Sequence, residues 1–300
     1  MFSSTKTTKS TTLVLVVLSV VIFSFPKIAI GKTEDTFYIM ADGTVAGPIQ
    51  HDQSIYTLTG DGDSIIVKRD NIIFDGNGHI LSGEGATNAV LLNDVKNVTI
   101  KNLFITGGDV GIVVYYSSSV TISGNTITGT SVLFPQFQAT AGIFVWDGDF
   151  NVITGNHLAD NYCGINLGEY SEHNIISENN ITGSISQGIR IHVSSENTIY
   201  HNNFINNTLQ VGYYKTPTEP SATNTWDNGY PSGGNYWSDY NGTDSDGDGI
   251  GDTPYVIDES NQDNYPLVNV IPEFSSWIIL PLIAVTTSVV VIYKKRLNWR

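Results

Sequence analysis

The sequence predicts an all-β protein: a right-handed, single-stranded parallel β-helix of 22–23 residues per coil, closed by an aromatic and acidic C-terminal cap and followed by a transmembrane helix. Three observations predict it. Short β-branched segments recur at a fixed interval through the middle of the chain. Only 14% of the 300 residues are charged, against roughly 25% in an average soluble domain, while Gly, Asn, Ser and Thr abound. Long surface helices are excluded by that composition. Both termini carry apolar runs with basic flanks, which separates them from the repetitive centre.

The repeat is read from four aligned segments, Val120 to Ile127, Val152 to Leu158, Ile175 to Ile181 and Thr198 to Phe204. Their first core positions are Ile122, Ile153, Ile176 and Ile199, with Ile100 one step earlier, so the steps are 22, 31, 23 and 23 residues. The long step is expected to hold a surface insertion around 128–141. A second strand follows in each repeat, beginning Gly111-Ile112, Gly142-Ile143, Gly164-Ile165 and Gly188-Ile189, with Ala89 to Leu92 before them. A leucine-rich horseshoe shares part of this pattern, but its convex side carries a helix or 3₁₀ turn, and here the rest of each repeat is strand.

Stacking at about 4.8 Å per coil places like positions above one another. Ile112, Ile143, Ile165 and Ile189 then form one interior column, and Ile105, Ile127, Leu158, Ile181 and Phe204 another. Asn125, Asn156, Asn179 and Asn202 are expected to stack at a turn, where Asn tolerates left-handed backbone angles and its amide bonds between coils. That column is read as structural.

The ends set the organisation: a signal peptide over 1–31, a lead-in over 32–63, the β-helix over 64–215, a cap over 216–270, and a membrane anchor with a basic tail over 271–300. Lys6 and Lys9 precede the apolar run Leu13 to Phe25, and Ala29-Ile30-Gly31 suits signal-peptidase cleavage; an uncleaved anchor is the alternative. Trp277 to Tyr293 is apolar and precedes Lys294-Lys295-Arg296, which places the C-terminus in the cytoplasm and the rest at the cell surface. Residues 33–271 hold 28 acidic and 6 basic side chains, a balance of −22. Nucleic acid is repelled by such a field, and cations are attracted. The single cysteine, Cys163, excludes both an intramolecular disulfide and a multi-thiolate metal site.

The repeats at 97–207, the lead-in Asn71-Ile-Ile-Phe-Asp-Gly-Asn-Gly78, and the closing stretches Gly234 to Tyr240, Asp244 to Ile257 and Asp263 to Leu267 together resemble the NosD family. These are periplasmic copper-binding-type β-helices of the pectin-lyase-like superfamily. The resemblance implies the fold and suggests copper or carbohydrate as ligand. Ile271-Pro272-Glu273-Phe274 resembles the Pro-Glu-Phe sorting tails of archaeal surface proteins, which implies removal of the helix by a sortase-like enzyme.

Copper needs clustered imidazoles or soft sulfur donors, and the chain offers Met40, Cys163 and His51, His79, His157, His173, His192 and His201, with His157 and His201 in different columns. A glycan lyase or hydrolase needs paired carboxylates or a base with a cation; Gly188-Ile-Arg-Ile-His192 only faintly resembles a polygalacturonase signature, and Asp147 and Asp149 lie in a turn. Calcium is better supported. Asp244, Asp246, Asp248 and Asp252 place carboxylates around a glycine turn, as a structural Ca²⁺ site requires, the alternative being a vacant acidic loop. Trp226, Tyr230, Tyr236, Trp237, Tyr240 and Tyr255 either seal the solenoid end or stack on sugars. The outward column Leu91, Val113, Phe144, Asn166 and Arg190 yields a carbohydrate site of Phe144, Trp146, Asn166, Glu169, Arg190 and His192, unless the insertion or the cap segment covers that face. Asn97, Asn180, Asn206 and Asn241 head glycosylation sequons, Asn206 and Asn241 being the more accessible.

Overall fold

The computed structural model describes residues 36–84, 88–131, 139–214 and 222–272. Their strands form three parallel faces wound as a β-helix. The first sheet stacks Ser64–Val67, Asn88–Asn93, Val110–Tyr115, Ala141–Trp146, Cys163–Leu167, Gln187–His192 and Leu209–Tyr214. The second stacks Ile55–Leu58, Ile72–Asp75, Val98–Lys101, Thr121–Ser123, Val152–Thr154, Ile175–Ser177 and Thr198–Tyr200. The third runs from Ile80–Leu81 through Phe104–Thr106, Thr126–Thr128, His157–Ala159, Asn180–Thr182 and Asn203–Ile205 to Tyr236–Trp237.

The register follows the repeat alignment. Ile100, Ile122, Ile153, Ile176 and Ile199 are paired in sequence, as are Ile112, Ile143, Ile165 and Ile189, and all are fully buried. Each buried aliphatic side chain contributes roughly 1.5–3 kcal/mol. The recurring Gly before Ile has a packing cause, because a Cβ at Gly164 would stand 2.5 Å from the Gly188 carbonyl oxygen and 2.5 Å from Ile181 Cγ2. Only glycine lets the coils close to one rise there. The 31-residue step falls between Thr126–Thr128 and Ala141–Trp146; residues 132–138 of the insertion lie outside the described residues.

Several columns of buried polar side chains line the corners among the described residues, where one was expected, and three of them are built around asparagine. Backbone N–H groups of Asn125, Asn156, Asn179 and Asn202 each donate to the side-chain oxygen of the Asn one coil later, ending on Asn235. A second column runs Asn151, Asn174, Asn197, Asn224, Asn261 in the same sense. In a third, Asn161 accepts from Thr130 and Asn207 from Ser184. Each rung satisfies backbone groups that a corner cannot place in a sheet.

Added segments cover parts of both ends, as unpaired strand edges require, and the Leu209–Tyr214 edge of the first sheet has no further strand among the described residues. Parallel stacking begins at Thr36–Ile39, which pairs with Ser64–Val67, so coil structure extends into the stretch expected to be lead-in. Antiparallel pairing of Ile49–Asp52 with Ile55–Leu58 covers the N-terminal edge. At the other end Trp237 continues the Leu158, Ile181, Phe204 column and stacks flat on Phe204, 4.5 Å between centroids, while Tyr255 stacks on Trp237 at 4.3 Å. Trp226 and Trp237 are buried; Tyr230 is not. No helix among the described residues is long and apolar enough to cross a membrane. The signal segment 1–31 and the apolar run Trp277 to Tyr293 lie outside them.

Candidate functional site

The outward column of the first sheet is in the expected register, Leu91 beside Val113, then Phe144, Asn166 and Arg190. Its accessibility differs from the expectation. Phe144 and Asn166 are each only 3% exposed. Phe144 clusters with Val110 and Val113, and Leu91, Tyr115, Ala139 and Trp146 close around it; Tyr115 and Trp146 meet its ring edge-on at 5.6 and 6.0 Å. An apolar column on the outside of a solenoid buries itself against its neighbours for the same reason an inner one does. Phe144 and Asn166, expected as ligand contacts, therefore offer almost no surface to a ligand.

The other four expected contacts lie on three successive coils. Two residues further along the strands, Tyr115 pairs with Trp146 and His192 with Tyr214, and Gly168 occupies the position between Trp146 and His192. Added there, a Cβ would stand 2.7 Å from Trp146 Cε3 and 2.9 Å from Phe144 Cε2, so the missing side chain is what admits both rings. Glu169 follows at once, its Oε1 3.7 Å from His192 Nδ1. Tyr214 meets His192 edge-on at 4.8 Å. Arg190 Nε and Nη2 donate to Gln187 Oε1 at 3.1 and 2.7 Å, holding the guanidinium 5.9 Å from the Tyr162 ring centroid. Trp146, Glu169 and His192 thus border a notch at Gly168, whereas the Arg190 guanidinium is held toward Gln187 and Tyr162 at the other end of the strands. Of the turn carboxylates, Asp149 Oδ1 accepts the Glu172 N–H at 2.9 Å, so it holds a corner.

In the cap, carboxylate oxygens of Asp244, Asp246 and Asp248 all lie within 4.8 Å of one another. Gly247 and Gly249, at φ 77° and 91°, wind the chain around them. Their N–H groups donate to the two carboxylate oxygens of Asp244 at 2.7 and 3.0 Å. Asp252, expected as a fourth ligand, is turned away. Its Oδ2 accepts from the Ser245 hydroxyl at 2.7 Å, the Thr243 hydroxyl at 2.9 Å and the Ser245 N–H at 3.1 Å, and the Ser245 hydroxyl foremost holds its carboxyl below the usual carboxylate range. Asp252 ties the loop ends together, and three aspartates remain for a cation. The Asp248 charge raises the nearby Tyr230 hydroxyl above its ordinary range.

The fold and these surfaces define a parallel β-helix solenoid with a capped C-terminal end. Residues 31–242 match the family described as periplasmic copper-binding protein (NosD), and the chain belongs to the NosD family. A "Probable ABC transporter binding protein NosD" of Pseudomonas aeruginosa is 31% identical over 150 residues, 48% of this chain and 28% of that protein. Its counterpart in Stutzerimonas stutzeri is 30% identical over 152 residues, with the same coverage of each. The chain thus matches less than a third of the length of these relatives. Among solved structures, a tailspike protein mutant of E. coli bacteriophage HK620 in complex with pentasaccharide aligns at 12% identity and a TM-score of 0.37, covering 59% of this chain and 32% of that one.

The family description names copper, and the described donors do not fit a copper centre. His51 lies in the N-terminal hairpin and stacks on Tyr56; His79 Nδ1 is 3.0 Å from Asp61; His157 neighbours Asn180; His201 Nε2 is 2.7 Å from the Ser232 carbonyl oxygen. Burial pushes the Cys163 thiol up to about 12, which keeps it protonated at neutral pH and without ligand character. Among the described residues the three aspartates are the one group of three or more His, Cys, Asp or Glu donors that converge.

Proposed function

We propose that this NosD-family chain is an extracytoplasmic β-helix, held to the membrane through its C-terminal segment, that binds cell-surface polysaccharide. The observation that carries the reading is the notch of Trp146, Glu169 and His192 around Gly168, with Arg190 two residues before His192 on the same face. An aromatic face with a few convergent polar groups suits a sugar ring, which is apolar on its faces and hydroxylated at its rim. The reading assigns the chain no bond-breaking step. Trp146→Ala combined with Arg190→Ala is expected to weaken polysaccharide binding at least tenfold, because interface Trp and Arg residues are those that commonly cost more than about 1 kcal/mol each. Affinity electrophoresis measures this, and unchanged retardation of the double variant rejects the notch.

Calcium braces the cap in this reading. Three carboxylates in one loop repel one another, and a hard cation with oxygen ligands removes that repulsion. Chelation is expected to lower the melting temperature, since an ion at one hundred times its Kd adds about 2.7 kcal/mol. Asp246→Asn with Asp248→Asn should abolish the difference between calcium and chelator, whereas Asp252→Ala should lower stability in both conditions. A parent protein that melts identically with and without chelator would refute the site.

Family membership favours a second reading, a metal-delivery accessory protein. Copper stoichiometry of the purified full-length chain distinguishes it: about one bound copper per chain supports delivery, and none supports the polysaccharide reading.

A further inference from the structure

We infer that the solenoid corner beside the notch is a track for a neutral or amino-sugar polysaccharide lying along the coil axis, with Tyr116, Phe150 and Tyr170 as its aromatic contacts. The inference rests on the polysaccharide reading and extends it to a place and a substrate class.

The corner joins the first sheet to the second, and two positions in each coil adopt left-handed backbone. Asp94, Tyr116, Asp147, Tyr170 and Val193 form one row at φ 48–57°; Asn97, Ser119, Phe150, His173 and Glu196 form the other at φ 55–60°. Gly, Asn and Asp suit this region, while bulky side chains occupy it at a cost. Elsewhere most such turns carry Gly, Asn or Asp, as at Asn71, Asn77, Asn102, Gly124, Gly155 and Gly183, while Gln53, Glu178 and His201 also adopt this backbone. What sets Tyr116, Phe150 and Tyr170 apart is that they are large aromatic rings that burial does not repay, being 54%, 60% and 59% exposed. Rings placed where the backbone disfavours them and the core does not use them point to an outside partner.

The arrangement also selects the partner. Tyr116, Phe150 and Tyr170 come from three successive coils, and a rise of about 4.8 Å per coil is close to the length of one pyranose unit. Phe150 stacks on His173 at 5.0 Å and 15°, and Tyr116 on Tyr115 at 6.2 Å and 28°, so the corner offers flat, paired ring surfaces. Asp94, Asp147 and Glu196 stand exposed in the same rows, and His173 Nδ1 lies 3.3 Å from Glu196 Oε2. Carboxylates accept hydroxyl and ammonium donors and repel uronate or sulfate groups. With a balance of −22 over residues 33–271, the wider field excludes acidic chains as well.

The test compares the full-length parent with Tyr116→Asn, Phe150→Asn and Tyr170→Asn combined, because Asn suits the left-handed backbone. Probes are hydroxyethyl cellulose, chitosan and polygalacturonate in about 0.15 M salt, where the Debye length is about 8 Å. The parent is expected to bind the neutral or the amino polymer and not the acidic one, and the triple variant to bind at least tenfold more weakly with a melting temperature equal to or above the parent's. A triple variant that melts several degrees lower shows the rings to be structural and overturns the track. Undiminished binding by the triple variant, with loss in Trp146→Ala, also overturns it while leaving the notch and the polysaccharide reading in place. Binding of polygalacturonate alone overturns the substrate class, and a parent that binds none of the three removes the polysaccharide reading and the track with it.

Discussion

Replacing Asn179 by Ala is expected to destabilise the solenoid by about 3–5 kcal/mol, since each orphaned buried polar group costs roughly 1–3 kcal/mol. The side chain is 1% exposed and fully engaged. Its oxygen accepts from Asn156 N and Nδ2 at 3.0 and 2.9 Å; its Nδ2 donates to the Ile153 and Ser177 carbonyls at 2.8 and 3.0 Å and to Asn202 Oδ1 at 2.9 Å. Truncation strands groups on three coils that are buried in the parent protein. The urea midpoint of the full-length chain measures the effect. A loss below about 1 kcal/mol would mean that the coils can satisfy their corners without the column.

Acidification is expected to strengthen the C-terminal cap through Asp263. This carboxyl is fully buried, and burial raises it to about 6 against the lowering effects of the Asn235 N–H, the Trp237 indole N–H and the Tyr265 N–H, which reach it at 2.7, 2.9 and 3.0 Å. The neighbouring Asp227 charge adds to the rise. Its folded value exceeds the ordinary 3.8, so the protonated form is favoured in the folded chain. This contribution is complete below pH 3.8 and is lost as pH rises through about 6, on the order of 3 kcal/mol in all. Asp263→Asn should remove that dependence, although its amide then faces the Tyr265 N–H and lowers the baseline. Urea titrations followed by Trp fluorescence at pH 5, 6, 7 and 8 should give a parent-minus-variant difference that changes with a midpoint near 6. Parallel pH profiles for the two proteins would show that Asp263 does not titrate in this range.

The coil register was legible because Ile122, Ile153, Ile176 and Ile199 repeat one local environment, and identical environments demand like residues. Asn125, Asn156, Asn179 and Asn202 were legible for the same reason. The companion columns carried a visible signal as well, with Asn151, Asn174 and Asn197 each five residues ahead of Asn156, Asn179 and Asn202. Phe144 marks where such reasoning stops. Strand alternation gives the direction of a side chain, while its exposure depends on residues such as Ala139 that belong to no repeat. Asp252 marks a second stop: spacing alone does not distinguish a carboxylate that meets a cation from one that binds Ser245 and Thr243. Tyr116, Phe150 and Tyr170 escaped notice because their shared property is a backbone angle, which the repeat pattern does not express.

The direction of the asparagine columns fixes the order in which the coils are completed. Each coil's corner N–H groups are satisfied by an oxygen that arrives one coil later, from Asn156 to Asn125, from Asn179 to Asn156, and so on to Asn235 and Asp263. A chain that folds from its N-terminus therefore always has one unsatisfied row at its newest coil, and each further coil moves that row along without removing it. Only when Asn261 and Asp263 emerge do Asn224 and Asn235 find acceptors. The last coil to form is the one that completes all the others.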